Sequence, residues 1–204
     1  YKQAIKIKPD YAGAYYNMGS ALKDKGELYA AIDNYKQAIK IKPDYAEAYL
    51  NIGNALEDKG DLDAAMESYK QAIKIKPDYA EAYTNIGIVR QRMGDLDAAI
   101  DSYKQAIKIK PDYAEAYNNM GNALDSKGEL HAAMASYKQA LKIKPDYAEA
   151  YLNMGNALDS KGELDAAIDS YKQAIKIKPD YAEAHRHLST VKKYNFADEQ
   201  ITQM

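Results

Sequence analysis

Ser68-Tyr69-Lys70-Gln71-Ala72-Ile73-Lys74-Ile75-Lys76-Pro77-Asp78-Tyr79-Ala80-Glu81-Ala82-Tyr83 decides the architecture, because nearly the same phrase surrounds every proline of the chain. The prolines fall at Pro9, Pro43, Pro77, Pro111, Pro145 and Pro179, each 34 residues after the last. Repetition of sequence as well as spacing marks a stacked array, in which each copy is one supersecondary unit that must lean on its neighbours to bury its apolar faces.

Working outward from that phrase, Tyr49, Ile52, Gly53 and Leu56 recur at helical spacing, Lys59-Gly60-Asp61 interrupts, and Ala65, Tyr69, Ala72 and Ile73 resume the period. Two short helices per unit are predicted. The first starts where Asp44 caps the free amides and Glu47, three residues on, reaches back as a capping box. It closes at Gly60, which can take the left-handed backbone conformation that ends a helix. The second runs from about Asp63 to Lys76, with Lys74 and Lys76 at its carbonyl end and Pro77 as its stop. Nothing alternates like a strand, so the fold class is all-α. Gly53, Ala65, Ala72 and Ala82 are small so that backbones can approach while Tyr49 and Tyr69 lie across neighbouring helices, each buried ring being worth roughly 1.5–3 kcal/mol.

Tyr49, Ile52-Gly53, Leu56, Ala65, Tyr69, Ala72 and Pro77 stand where the tetratricopeptide repeat (TPR) family has its signature, and the pattern resembles that family, with Leu56 in place of a second aromatic. Tyr15, Met18-Gly19, Leu22, Ala31, Tyr35, Ala38 and Pro43 fill the same places one unit earlier. The resemblance implies a right-handed superhelical solenoid of antiparallel helix-turn-helix repeats, with first helices lining a concave face and second helices a convex one. On this reading residues 1–204 form one array. Complete repeats are 12–45, 46–79, 80–113, 114–147 and 148–181, with 1–11 the second helix of a partial repeat and 182–204 a capping helix opening a degenerate repeat. In that cap His185 replaces the aromatic and Ser189 the glycine, while Lys192, Lys193 and Asn195 make it polar. Ala4, Ile5 and Ile7, on a helix without its partner, are expected to be exposed and to favour end-to-end association.

Hydrophobic residues make up 47% and charged residues 28%, which suits a folded soluble protein and excludes disorder. The rings are 20 Tyr and one Phe, with no Trp, so the core must find partners for phenol hydroxyls. A net charge of -2 gives no field that would draw nucleic acid or an anionic membrane, and the apolar runs are too short to span a bilayer. Without cysteine there is no disulfide, thiolate metal site or cysteine nucleophile. His131, His185 and His187 are the only histidines, and the last two point to different helix faces, so no shared metal is expected. No phosphate-cradling loop or nucleophile elbow is present. No catalytic role, cofactor, nucleic acid or membrane is expected, and the location expected is cytoplasmic.

Binding is therefore sought on the first helices. Asn17, Asn51, Asn85, Asn119 and Asn153 recur in every complete unit, and Asn54, Asn122 and Asn156 stand three residues further along, adjacent on the helix surface. Amides both donate and accept, which suits the backbone of an extended peptide. A similar asparagine ladder occurs in the repeat domain of O-linked N-acetylglucosamine transferases. The recurrence has a second reading, as a record of duplication. Divergence at Tyr16, Leu50, Thr84, Asn118 and Leu152, taken to lie on the same helix face, favours binding. Glu81 and Glu115, with Glu47, Glu149 and Glu183, form an acidic edge that would prefer a basic partner; they also fit helix capping. Arg90 and Arg92 break the pattern in the third unit, either as a recognition patch or, for Arg90, as a snorkelling side chain. The function read from these residues is a protein- or peptide-binding scaffold working through the concave groove. The alternative is the substrate-recognition module of a larger glycosyl- or sulfotransferase, the latter through a weak similarity at Ala184-His185-Arg186-His187-Leu188-Ser189.

Overall fold

The computed structural model describes residues 1–202, with the side chains of Lys2 and 193–202 outside that description. Lys193 and Asn195, expected to make the cap polar, therefore lie outside the described side chains, while Lys192 is exposed. Among the described residues there are twelve helices and no strand: α1 (Lys2–Ile7), α2 (Ala12–Asp24), α3 (Leu28–Ile41), α4 (Ala46–Asp58), α5 (Leu62–Ile75), α6 (Ala80–Arg92), α7 (Leu96–Ile109), α8 (Ala114–Ser126), α9 (Leu130–Ile143), α10 (Ala148–Ser160), α11 (Leu164–Ile177) and α12 (Ala182–Thr202). They form two compact units, 1–109 and 110–204. The first holds the hairpins α2/α3, α4/α5 and α6/α7 behind α1; the second holds α8/α9, α10/α11 and α12.

Each hairpin is built the same way. Just past the end of α4, Gly60 has φ of 82°, its N–H donates to Glu57 O at 2.8 Å and Asp61 N donates to Leu56 O at 2.9 Å. This is the paired closure that satisfies the last carbonyls of a helix and needs a residue without a Cβ penalty at positive φ. The start differs from the sequence expectation. The residue at the N-terminal boundary of α4 is Tyr45, which makes no side-chain cap, because Pro43 and Asp44 are used in the preceding turn and Asp44 is one residue out of register. Lys42 instead places its Nζ 4.7 Å from the centroid of the Tyr45 ring, and the pair recurs as Lys76 on Tyr79 at 4.4 Å and Lys144 on Tyr147 at 4.6 Å. A carboxylate cap is found one helix later, where Asp61 accepts from Ala64 N at 3.3 Å.

The core of each unit is a row of fully buried rings on the second helices. Tyr35, Tyr69 and Tyr103 in the first unit, and Tyr137 and Tyr171 in the second, have no exposed surface. Each ring lies against the glycine of its own hairpin: a methyl on Gly53 would run into Tyr69, and one on Gly87 into Tyr103. Within a unit each first helix touches the next, α2 to α4 to α6 and α8 to α10 to α12, while successive second helices stay apart. An open cleft is left between α3 and α5, floored by α4, and another is lined by α6 and α7. Ala4 and Ile5 of α1 are half-buried against this packing, and only Ile7, at 79% exposure, is as open as the sequence suggested.

Candidate functional site

Burying a tyrosine ring completely obliges its hydroxyl to find an acceptor. Tyr69 lies 2.9 Å from Asn54 Oδ1 and 2.9 Å from Glu57 Oε2, so that two acceptors share one proton. Tyr137 donates to Asn122 Oδ1 at 2.8 Å, Tyr171 to Asn156 Oδ1 at 3.0 Å and Tyr35 to Ser20 Oγ at 3.2 Å. Where Ile88 occupies that place, Tyr103 donates instead to Gln91 Oε1 at 3.1 Å. The second asparagine row thus holds the tips of the core tyrosines. Sequence reasoning required acceptors for the phenols but did not pair them; the signal was the constant offset of fifteen residues. Burial drives the phenols of Tyr69, Tyr103, Tyr137 and Tyr171 above the usual tyrosine range. The charge of Glu57 adds to this at Tyr69 and Tyr103, Asp125 at Tyr137 and Asp159 at Tyr171.

The first asparagine row links hairpin to hairpin. In the first unit Asn51 Nδ2 donates to the Tyr16 hydroxyl at 2.8 Å and Asn85 Nδ2 to Asn54 Oδ1 at 2.8 Å, with Asn54 Nδ2 reaching Asn51 Oδ1 at 3.4 Å. In the second unit Asn153 Nδ2 donates to Asn118 Oδ1 at 3.1 Å. Asn51, Asn85, Asn119 and Asn153 are half-buried and Asn17 is exposed. Of the divergent positions expected on the same helix face, Thr84, Asn118 and Leu152 are buried at 3%, 0% and 2% exposure, and Tyr16 and Leu50 are half-buried. They stand one residue before the row, about 100° around the helix, and so enter the seam with the following hairpin. Their variation records core packing and says nothing about ligands. Asn118 Nδ2 finds no protein partner there.

Of the acidic edge, Glu81, Glu149 and Glu183 are exposed, and Glu47 and Glu115 are half-buried. Glu115 meets Lys144 Nζ at 3.5 Å, and Arg92 Nη1 meets Glu57 Oε1 at 3.2 Å. Arg92 thereby extends the chain Tyr16, Asn51, Asn54, Tyr69, Glu57 across three first helices of one unit. Burial raises the carboxyl of Asp125. Arg90 is half-buried, with Nη1 donating to Ala98 O and Ser102 Oγ, both at 3.0 Å.

His185 places Nε2 2.8 Å from Pro179 O, while the His187 ring stacks on Tyr171 at 5.6 Å, so each is engaged in local packing of α12. No cluster of metal-ligating side chains occurs among the described residues, and none of their helices is long and apolar enough to cross a membrane.

Hairpins each closed by a tyrosine and glycine seam, with an amide row joining successive first helices, define a helical-repeat scaffold for protein interaction. The chain belongs to the tetratricopeptide repeat family, whose model, described as TPR repeat, matches residues 1–26, 19–60, 53–94, 92–127, 121–160 and 155–189. Members of this family are typically non-catalytic scaffolds. Among solved structures it is similar to MamA, with 32% identity over 84% of this chain and 94% of that one at a TM-score of 0.68. It shares its fold with YrrB, described as a TPR protein with an unusual peptide-binding site, at 23% identity over 91% and 95% of the two chains and a TM-score of 0.66. It also shares its fold with TTC0263, a thermophilic TPR protein of Thermus thermophilus, at 24% identity over 89% and 98% and a TM-score of 0.72. No curated protein sequence matches.

Proposed function

We propose that the first-helix side of each compact unit binds an extended, basic segment of a partner protein. The observation that carries this reading is the half-exposed asparagine row, in which Asn51, Asn85 and Asn153 each have one N–H pinned to the preceding hairpin. An amide has two donor hydrogens and an oxygen with two lone pairs. Each pinned amide therefore keeps a second N–H and acceptor capacity for a ligand backbone, and its rotamer is already fixed, so less ordering is lost on binding. Asn17 and Asn119 continue the row. Asn54, Asn122 and Asn156 support it from beneath through the tyrosines.

Glu81 and Glu115 give the side its preference for cations. The pairing of Arg92 with Glu57 within the chain supports this by analogy with the contact that a basic residue of the ligand would make. That YrrB, of the same fold, has a peptide-binding site fits this reading at the level of the fold.

The test is to pan a peptide library against the wild type and against a variant with Asn85, Asn119 and Asn153 changed to Ala, with thermal melting alongside. At temperatures where both are folded, Lys- and Arg-bearing peptides are expected to be retained by the wild type and lost by the variant. Unchanged capture removes the row from recognition. A second copy of the chain is a further occupant, at Ile7 of α1; light scattering that shows monomer over a wide concentration range, with and without Ile7→Lys, rejects it.

A further inference from the structure

Leu22, Leu56, Leu124 and Leu158 hold one position of the first helix, and Leu124 and Leu158 are buried there at 8% and 5% exposure. In the third hairpin that position is Arg90. Its side chain runs toward α7, where Nη1 spends both hydrogens, one on Ala98 O and one on Ser102 Oγ, each at 3.0 Å. The Nη2 and Nε hydrogens remain, and they form the parallel pair of donors that a carboxylate accepts in bidentate fashion. Among the described residues no carboxylate lies within ion-pair distance of Arg90. The acid at the edge of the same cleft, Asp101, is 73% exposed and faces Lys104 at 3.6 Å.

Arg90 lines an open cleft of about 390 Å³, walled by Tyr83 and Ile86 and edged by Asp101, Ser102 and Gln105. A half-buried cation without a counter-charge has lost part of its hydration and gained no ion pair in return, a deficit that an anion entering the cleft removes. The equivalent cleft one hairpin earlier, about 320 Å³, has the same kind of wall in Tyr49 and Ile52 and the same edge in Ser68 and Gln71. Leu56 stands there in the place of Arg90. The molecule therefore carries two similar clefts within one unit, of which one has a fixed guanidinium.

We infer that the cleft between α6 and α7 is a carboxylate-binding site, taking an acidic side chain or a free C-terminus of a peptide with Arg90 as its anchor. The carboxylate docks on the Nη2 and Nε edge, the aliphatic part of the ligand lies on Tyr83 and Ile86, and Gln105 supplies an amide at the mouth. The site is on the second-helix side of the first unit and is independent of the asparagine row.

Backbone amide shifts of Ala98, Ser102 and Gln105 report on it. Four short alanine-based peptides serve as probes: one with a central glutamate and blocked ends, one with a free C-terminal carboxylate, and their glutamine and amide counterparts. Each is titrated into the wild type, Arg90→Leu and Arg90→Lys. Leucine is the residue of the other hairpins, so Arg90→Leu keeps the fold. At least one carboxylate peptide is expected to saturate the three amides, its neutral counterpart to leave them unmoved, and Arg90→Leu to weaken binding about tenfold or more. Arg90→Lys is expected to fall between, since an ammonium cannot form the fork. The tighter of the two carboxylate peptides identifies the source. Absence of localised shifts with either carboxylate, or equal titration of Arg90→Leu, overturns the assignment.

Discussion

The hydroxyl of Tyr137 donates to Asn122 Oδ1, 2.8 Å away and fifteen residues earlier, joining the second helix of a hairpin to its first where the buried ring meets the half-buried amide row. Tyr69 with Asn54 and Tyr171 with Asn156 repeat the contact, and the exception at Ile88, where Tyr103 turns to Gln91, shows that the hydroxyl dictates a partner rather than a particular residue.

Removing that acceptor leaves a buried hydroxyl unsatisfied. Asn122→Leu is expected to destabilise the protein by about 1–3 kcal/mol, and Asn122→Leu with Tyr137→Phe to recover most of the loss, because both polar partners are then gone. Chemical denaturation of the wild type, the two single variants and the double variant checks this. Simple addition of the two single losses in the double variant would show that the pair is not coupled.

The buried phenols make the fold alkali-sensitive. Their folded pKa values are raised, by burial first, above the ordinary value of about 10. The stability they contribute is therefore complete below about pH 10 and declines as the pH rises beyond it, by about 1.4 kcal/mol per pH unit for each phenol. Tyrosinate absorbance is expected to rise in two stages, exposed rings first and the core rings together with the loss of helical circular dichroism. A single titration near pH 10 with helix retained would refute it.

Glu57 contributes its charge to the shift of Tyr69. Glu57→Gln is accordingly expected to let Tyr69 ionise at lower pH than in the wild type. Arg92→Ala should cost only about 0.2–1 kcal/mol, since its side chain is 46% exposed and the pair is screened by water. Tyrosine ring resonances followed against pH test the first statement and denaturant midpoints the second.

Two glycines of one hairpin separate two kinds of demand. Gly87→Ala drives a methyl into the Tyr103 ring and is expected to cost about 2–3 kcal/mol. Gly94→Ala meets no atom and bears only the strain of φ at 85°, about 1 kcal/mol. Equal losses would mean that the seam between ring and glycine is not what holds the hairpin closed.

Asn118 is buried with its Nδ2 unpartnered, at a position where Leu50 and Leu152 stand in other hairpins. Asn118→Leu is expected to stabilise the protein by about 1–2 kcal/mol, even though Asn153 loses its acceptor and turns to water. A lower denaturant midpoint in the variant would show that the Asn153 contact outweighs the orphaned amide.

The helices and their hairpins were legible in the residues themselves. The spacing of Tyr49, Ile52 and Leu56, the stop at Pro77 and the turn at Gly60 act through neighbours within a few positions, and local backbone chemistry suffices to read them. The cap assigned to Asp44 failed because one residue of turn, set by how Pro43 leaves the preceding helix, shifts the register of the start.

The candidate site was legible only as a list of side chains. That Asn51 is pinned to Tyr16, that Asn54 supports Tyr69, that Asn118 is swallowed by a seam and that Arg90 reaches Ser102 are facts about groups up to 35 residues apart. A helical period places a residue on a face, but a hydrogen bond depends on fractions of an ångström between separate helices. Within a hairpin those separations depend on how closely Gly53 lets Tyr69 approach, and between hairpins on how successive first helices meet, which are properties of the packed unit and of no single stretch of chain.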